Sequence, residues 1–218
     1  MNLLLLWLLP LLGYFPAAGP PAVRVTFSPL TKAAYLAAAK AAVSTKPAIT
    51  FPLKKVRGRI VIPTAKGPKT FADIIIYEAA IKKGHGEDES TMYTYLGYLV
   101  DFKYHLIQVQ YYETTQWLLI DTSGQQLDLW GEPLFSPDLR HIAATCMGIE
   151  YGGGQPNILQ LLELHNGVLR QVWELEPKTW EPYRIKWLSP TTLLLSKEMW
   201  TGQNPGTTFT YAKLTIQP

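Results

Sequence analysis

Short runs of apolar residues separated by polar turn formers recur along most of this chain, and some alternate with polar residues at the two-residue spacing of a β-strand. From Tyr93 onward one such strand follows another, in the runs Tyr93 to Tyr98, Tyr104 to Tyr112, Gln116 to Ile120 and Gln126 to Trp130. Val, Ile, Tyr, Trp and Leu dominate these runs, as suits residues packed on a pleated surface. Upstream, Val23 to Phe27 alternates as a short strand. Residues 53 to 62 set Leu53, Val56, Ile60 and Ile62 against Lys54, Lys55, Arg57 and Arg59, and Phe71 to Tyr77 is a further apolar run. The Gly- and Pro-containing stretch Pro63 to Lys69 between these two predicts a β-hairpin. One segment departs from the period. Leu30 to Ser44 is alanine-rich with Leu36, Ala39 and Val43 on one side, preceded by Ser28-Pro29 and followed by Pro47. An N-cap, a first-turn proline and a terminating proline predict a helix of about three to four turns. Such a helix is suited to covering an exposed sheet edge.

A longer period overlies the short one. Gly124 and Gly167 stand 43 residues apart, as do Trp130 and Trp173. In each copy an apolar strand (Trp117 to Ile120, then Ile158 to Leu164) meets a polar turn ending in that glycine. A strand ending in Trp follows, and then a Ser-Pro pair (Ser136-Pro137, then Ser189-Pro190). Gly-containing turns between short strands at this spacing indicate a sheet module stacked on copies of itself. Gly124 and Gly167 are accordingly expected in hairpin turns with positive φ.

The segment Pro133 to Ala144, with Phe135-Ser136-Pro137-Asp138-Leu139-Arg140, resembles the outgoing strand and tight turn of Trp-Asp-type β-propeller blades, with Leu139 in place of the usual glycine. The later copy Trp187-Leu188-Ser189-Pro190-Thr191-Thr192-Leu193 lacks the aspartate. The resemblance covers residues 93 to 216, about three blade equivalents, fewer than the four to eight of ordinary closed propellers. It implies about three blade-like repeats that do not close into a ring, so the expected fold is mainly β and antiparallel, with the Ala-rich helix and the β-hairpin read above at its N-terminal side. It implies no particular function.

Composition adds a domain plan. Apolar residues make up 47% of 218 residues, which excludes general disorder. Residues 1 to 72 carry ten Lys or Arg and no acid; the rest of the chain carries the other ten basic groups and all seventeen acids. The basic groups are spread rather than clustered, so they are expected to dock on the acidic body of the same chain and not on nucleic acid. Residues 3 to 15 are uncharged and too short to span a bilayer, but match the apolar core of a secretory signal. The expected plan is a signal peptide over 1–19, a basic helix-plus-hairpin region over 20–83, and a β-repeat domain over 90–218, with an extracytoplasmic location. The charged stretch Lys82 to Glu89 marks the boundary.

Candidate chemistry is sparse. The single Cys146 excludes an internal disulfide and a multi-cysteine zinc site, and it reads as a buried apolar side chain. Ser136, Asp138 and His141 supply the residue types of a hydrolase triad, but neighbours on one turn point apart, so they read as turn chemistry. His85 with Glu87, Asp88 and Glu89 reads as a solvated connector, and no metal or cofactor is expected. The loops Tyr151 to Asn157 and Trp200 to Gly206 each join the second and third strands of a repeat and should emerge on one side. Tyr151, Gln155, Asn157, Trp200, Gln203 and Asn204 are therefore the candidate binding residues. The reading is a non-catalytic exported domain that binds a protein, peptide or envelope glycan through this loop face. The alternative is an extracytoplasmic hydrolase drawing on carboxylates such as Glu113, Asp121, Asp138 and Glu150 from different repeats.

Overall fold

A computed structural model describes residues 23–84, 86–149, 154–199 and 208–217. In chain order the elements are β1 (Arg24–Leu30), α1 (Lys32–Ala39), β2 (Ile49–Thr50), β3 (Arg59–Ile62), β4 (Lys69–Ala72), α2 (Glu78–Ile81) and a 3-10 turn (Glu87–Glu89). There follow β5 (Met92–Leu99), β6 (Tyr104–Gln110), β7 (Thr115–Asp121), β8 (Gln126–Leu129), β9 (Leu134–Phe135), β10 (His141–Cys146), β11 (Ile158–His165) and β12 (Val168–Leu175). The chain ends on β13 (Trp180–Ser189), β14 (Thr192–Met199) and β15 (Phe209–Gln217). The fold is mainly β and its sheets are antiparallel, as the alternation predicts, and β5 to β8 fall on the runs expected from Tyr93 onward.

Three sheets carry most of the chain, ordered β2-β5-β6-β7-β8, then β9-β10-β11-β12, then β13-β14-β15-β1, with β3 and β4 as a separate hairpin. None closes into a barrel. The third sheet takes its last strand from the opposite end of the chain, because β1 pairs with β15 along its whole length, from Arg24 with Gln217 to Leu30 with Tyr211. That pairing corrects the expected helix start. Ser28 and Pro29 lie opposite Lys213 and Ala212, where a proline is tolerated because β1 is an edge strand. Thr31 is the N-cap instead, accepting a hydrogen bond from the Ala34 amide at 3.1 Å.

Because successive strand residues point to opposite faces, the first and second sheets are apolar on both sides and the layers stack. Ile107, Val109, Leu118 and Ile120 of the first sheet meet Ile60, Ile62 and Phe71 of the hairpin. Their neighbours Leu106 and Leu119 meet Ile142, Leu162 and Leu169 of the second sheet. Ala143, Leu159 and Leu161 of the second sheet then meet Ile185, Trp187, Leu193 and Leu214 of the third. On the far side of the third sheet, α1 packs Tyr35 on Tyr211 with ring centroids 4.5 Å apart. Each buried Leu or Ile contributes about 1.5 to 3 kcal/mol, so these interlayers carry the stability.

The basic N-terminal hairpin docks through its apolar face. Lys55 pairs locally with Asp73 and donates to the Tyr93 carbonyl at 2.6 Å. The hairpin strands are shorter than the alternation predicts because Arg57 and Gly58, at φ 49° and 73°, make a tight reverse turn. Val56 and Arg59 exchange backbone hydrogen bonds of 2.8 and 3.0 Å across it.

One extended segment, residues 43–50, meets an edge of each of the three larger sheets. Val43 bridges Trp187 of β13, Thr45 bridges Phe135 of β9, and β2 pairs Ile49 and Thr50 with Leu99 and Tyr98 of β5. The Val43 amide donates to the Trp187 carbonyl at 2.9 Å, and the Ala48 amide donates to Asp101 Oδ2 at 2.8 Å. This strap also corrects the helix: α1 ends at Ala39 because residues from Val43 onward are drawn into pairing. The strap, not the helix, covers the edge.

Gly124 and Gly167 both have positive φ, 86° and 78°, in the β7–β8 and β11–β12 turns. A Cβ at Gly167 would meet nothing within 4 Å, whereas at Gly97 (φ 123°) it would lie 2.4 Å from Ile49 Cγ2 of the strap. Gly167→Val is expected to cost about 1 to 3 kcal/mol through backbone conformation alone. Gly97→Ala adds an overpacking cost of about 1 to 3 kcal/mol. Urea unfolding of both variants should rank Gly97→Ala as the more damaging; equal costs would remove the strap from the comparison.

Candidate functional site

Polar ties between the layers fix how the loops are presented. At one end of the stack, the buried Tyr104 hydroxyl accepts from the Leu169 amide at 3.2 Å, linking the first two sheets where their tight turns lie. At the other end, Gln160 accepts from the Trp130 amide at 2.9 Å, and the Ile149 amide donates to Glu181 Oε1 at 2.6 Å. The three sheets therefore run in the same sense, and the strand ends that flank the β6–β7, β10–β11 and β14–β15 connections lie at this second end.

The base of the 147–157 loop is pinned by its own side chains. Gln155 donates to the Met147 carbonyl at 2.9 Å, and the Asn157 amide donates to the carbonyls of Pro177 and Trp180 at 2.7 and 2.8 Å. Of the six candidate binding residues, these two are thus brought to the loop base; Tyr151, Trp200, Gln203 and Asn204 lie outside the described residues. Tyr112, in the corresponding connection of the first sheet, is 55% exposed. Glu181 was not singled out by sequence, since it carries no motif. It stands opposite Glu198 across β13 and β14, and both are buried.

The triad-like residues make a turn. The Ser136 hydroxyl donates to Asp138 Oδ1 at 2.6 Å and accepts from the His141 amide at 2.9 Å. Leu139, on the same turn, has a positive φ of 56°. Asp121 likewise caps its own turn, accepting from Ser123 Oγ and the Gln125 amide at 2.7 and 2.8 Å. Glu113 is exposed at the opposite end of β7 from Asp121. Glu150 lies outside the described residues, as does His85. Burial, with Glu181 nearby, pushes the Cys146 thiol up to about 11, so it stays protonated at neutral pH. Among the described residues no three His, Cys, Asp or Glu side chains form a metal-binding group, and no helix is long and apolar enough to cross a membrane.

A cavity of about 610 Å³ lies between the strap and the three sheet edges. Leu96 and Trp117 line it from the first sheet, Leu134 and Phe135 from the second, and Ile185 and Trp187 from the third. Lys46, Glu132 and Lys186 supply its charges. Sequence reasoning missed this cavity because its walls are far apart in the chain.

No family model matches the chain, and neither a curated protein nor a solved structure shows detectable similarity to it.

Two buried histidines couple stability to pH. Burial holds the His105 pKa below its usual 6.5, and its Nδ1 stands 3.0 Å from the Tyr95 hydroxyl, which a neutral ring accepts. Burial also lowers that of His141, against the opposing influence of Glu163, Asp138 and the Pro190 carbonyl. The unfolded chain therefore binds protons that the folded chain refuses, so stability is complete above pH 6.5 and falls as pH drops towards the folded values. Urea midpoints measured between pH 8 and 5 should fall, and His141→Gln should flatten the fall; an unchanged slope would contradict the assignment.

Proposed function

We propose that the protein is a non-catalytic, exported binding domain built of blade-like β-repeats in an open stack. It engages a macromolecular or cell-envelope partner, protein, peptide or glycan, through its loop end. The observation that carries this reading is that the strand ends flanking the β6–β7, β10–β11 and β14–β15 connections share one end of the stack, where Gln155, Asn157 and Glu181 hold the base of the 147–157 loop. Recognition residues on loops above a fixed scaffold are a common arrangement in repeat proteins. The exposed Tyr112 adds an amphipathic ring to the same end.

Hydrolysis of a glycoside needs two carboxylates converging on one bond. Of the four carboxylates considered for that alternative, Asp121 and Asp138 cap separate turns and Glu113 stands at the far end of β7 from Asp121. The binding reading is therefore the better supported.

Photo-crosslinking tests it. A benzophenone amino acid at Tyr112 or Lys178, both at the loop end, should capture the same partner from the producing cell's envelope. The same probe at exposed Gln125, at the turn end, should not. Equal capture from Gln125, or none from the loop positions, would refute the proposal.

A further inference from the structure

The loop-end reading leaves the cavity beneath the strap without a role, and its chemistry points to a ligand of its own. At about 610 Å³ it falls within the range of small-molecule sites. Its walls are contributed by all three sheets and are apolar, led by Leu96, Trp117, Phe135 and Ile185. Part of this apolar surface faces solvent. Val43 is 44%, Ile49 42% and Leu134 37% exposed, all three lining the same cavity. A ligand seated there would remove that surface from water, which favours binding by about 25 cal/mol for each Å² covered.

The charges decide the kind of ligand. Lys46 and Lys186 line the cavity against the single acid Glu132. Among the described residues none of these three side chains has an ion-pair or hydrogen-bond partner. Two ammonium groups and one carboxylate leave the lining of this apolar cavity with a net positive charge. A neutral apolar molecule would leave that charge unmatched, and a cationic amphiphile would be repelled by it.

We propose that this cavity binds a free, single-chain anionic amphiphile. Its hydrocarbon chain lies among the walls from the three sheets, and its carboxylate or equivalent head sits at Lys46 and Lys186. The site is separate from the loop end, so its occupancy does not depend on the partner proposed there.

Calorimetric titration of the full chain with dodecanoate, dodecanol and dodecyltrimethylammonium, each below its micelle concentration, separates the possibilities. Dodecanoate should saturate one site at least tenfold more tightly than either of the other two. Lys46→Glu combined with Lys186→Glu should abolish that preference without changing the thermal midpoint of the unliganded protein. The neutral pair Lys46→Gln and Lys186→Gln, expected to weaken dodecanoate selectively, serves if the charge-reversed pair does not fold. Equal affinity for the three heads would reduce the site to a non-specific apolar patch and overturn the proposal, as would undiminished dodecanoate binding by the folded variants. Binding that appears only when residues 1–19 are removed would give the cavity to the chain's own Leu-rich segment, and also overturn it.

Discussion

The rest of the structure depends on how the first-strand edges of three separate sheets are satisfied. An open sheet edge presents unpaired amides and carbonyls that invite pairing with other chains. Here one extended segment, residues 43–50, crosses β13, β9 and β5 in turn and makes a short antiparallel contact with each. The Trp187 indole adds a tie at the same place, donating to the Leu134 carbonyl of the second sheet at 2.9 Å. Because the strap touches all three sheets, it fixes their spacing as well as covering their edges. The opposite edges are managed differently. β12 displays Arg170 and Glu174, and its pairing with β11 carries a bulge, while β1 carries Pro29. Charges, bulges and prolines of this kind discourage further pairing.

Face-to-face packing follows from the same arrangement. A sheet with solvent on one side shows clean alternation, but β6 buries Tyr104 through Ile107 in succession and β10 buries His141 through Ala144. Both faces are apolar because both are covered, by the hairpin and second sheet in one case and by the first and third sheets in the other. Tyr104 and Gln160 are paired across layers, so they set register between sheets at little cost.

What the sequence revealed was local. The strands from Tyr93 onward were legible because Val, Ile, Leu and aromatic residues dominate them and turn formers divide them. The Gly124 and Gly167 turns were legible because a tight hairpin needs positive φ, and Ser136 and Asp138 because their short side chains can bond only to nearby backbone. The errors came where distant pairing overruled a sound local signal. Ser28-Pro29 is a good helix start in isolation, yet β15 claims it as a strand. Residues 53 to 62 set apolar against basic positions as one strand would, yet there a local turn at Arg57-Gly58 reverses the chain. Gln155 and Asn157 were found from their loop, but that their amides fasten its base depends on carbonyls brought close by folding. The strap and its cavity left no signature, since isolated bridges have no period and walls from three sheets share no motif.

The strap's role can be read directly by native-state hydrogen exchange on the Val43→Pro variant, which removes the amide that donates to Trp187. If the strap holds the three sheets as one unit, protection should fall together in β5, β9 and β13, including strands that residue 43 does not touch. Loss confined to β13, with β5 and β9 protected as before, would show that each sheet edge is stable by itself and would contradict the strap's place as the common tie.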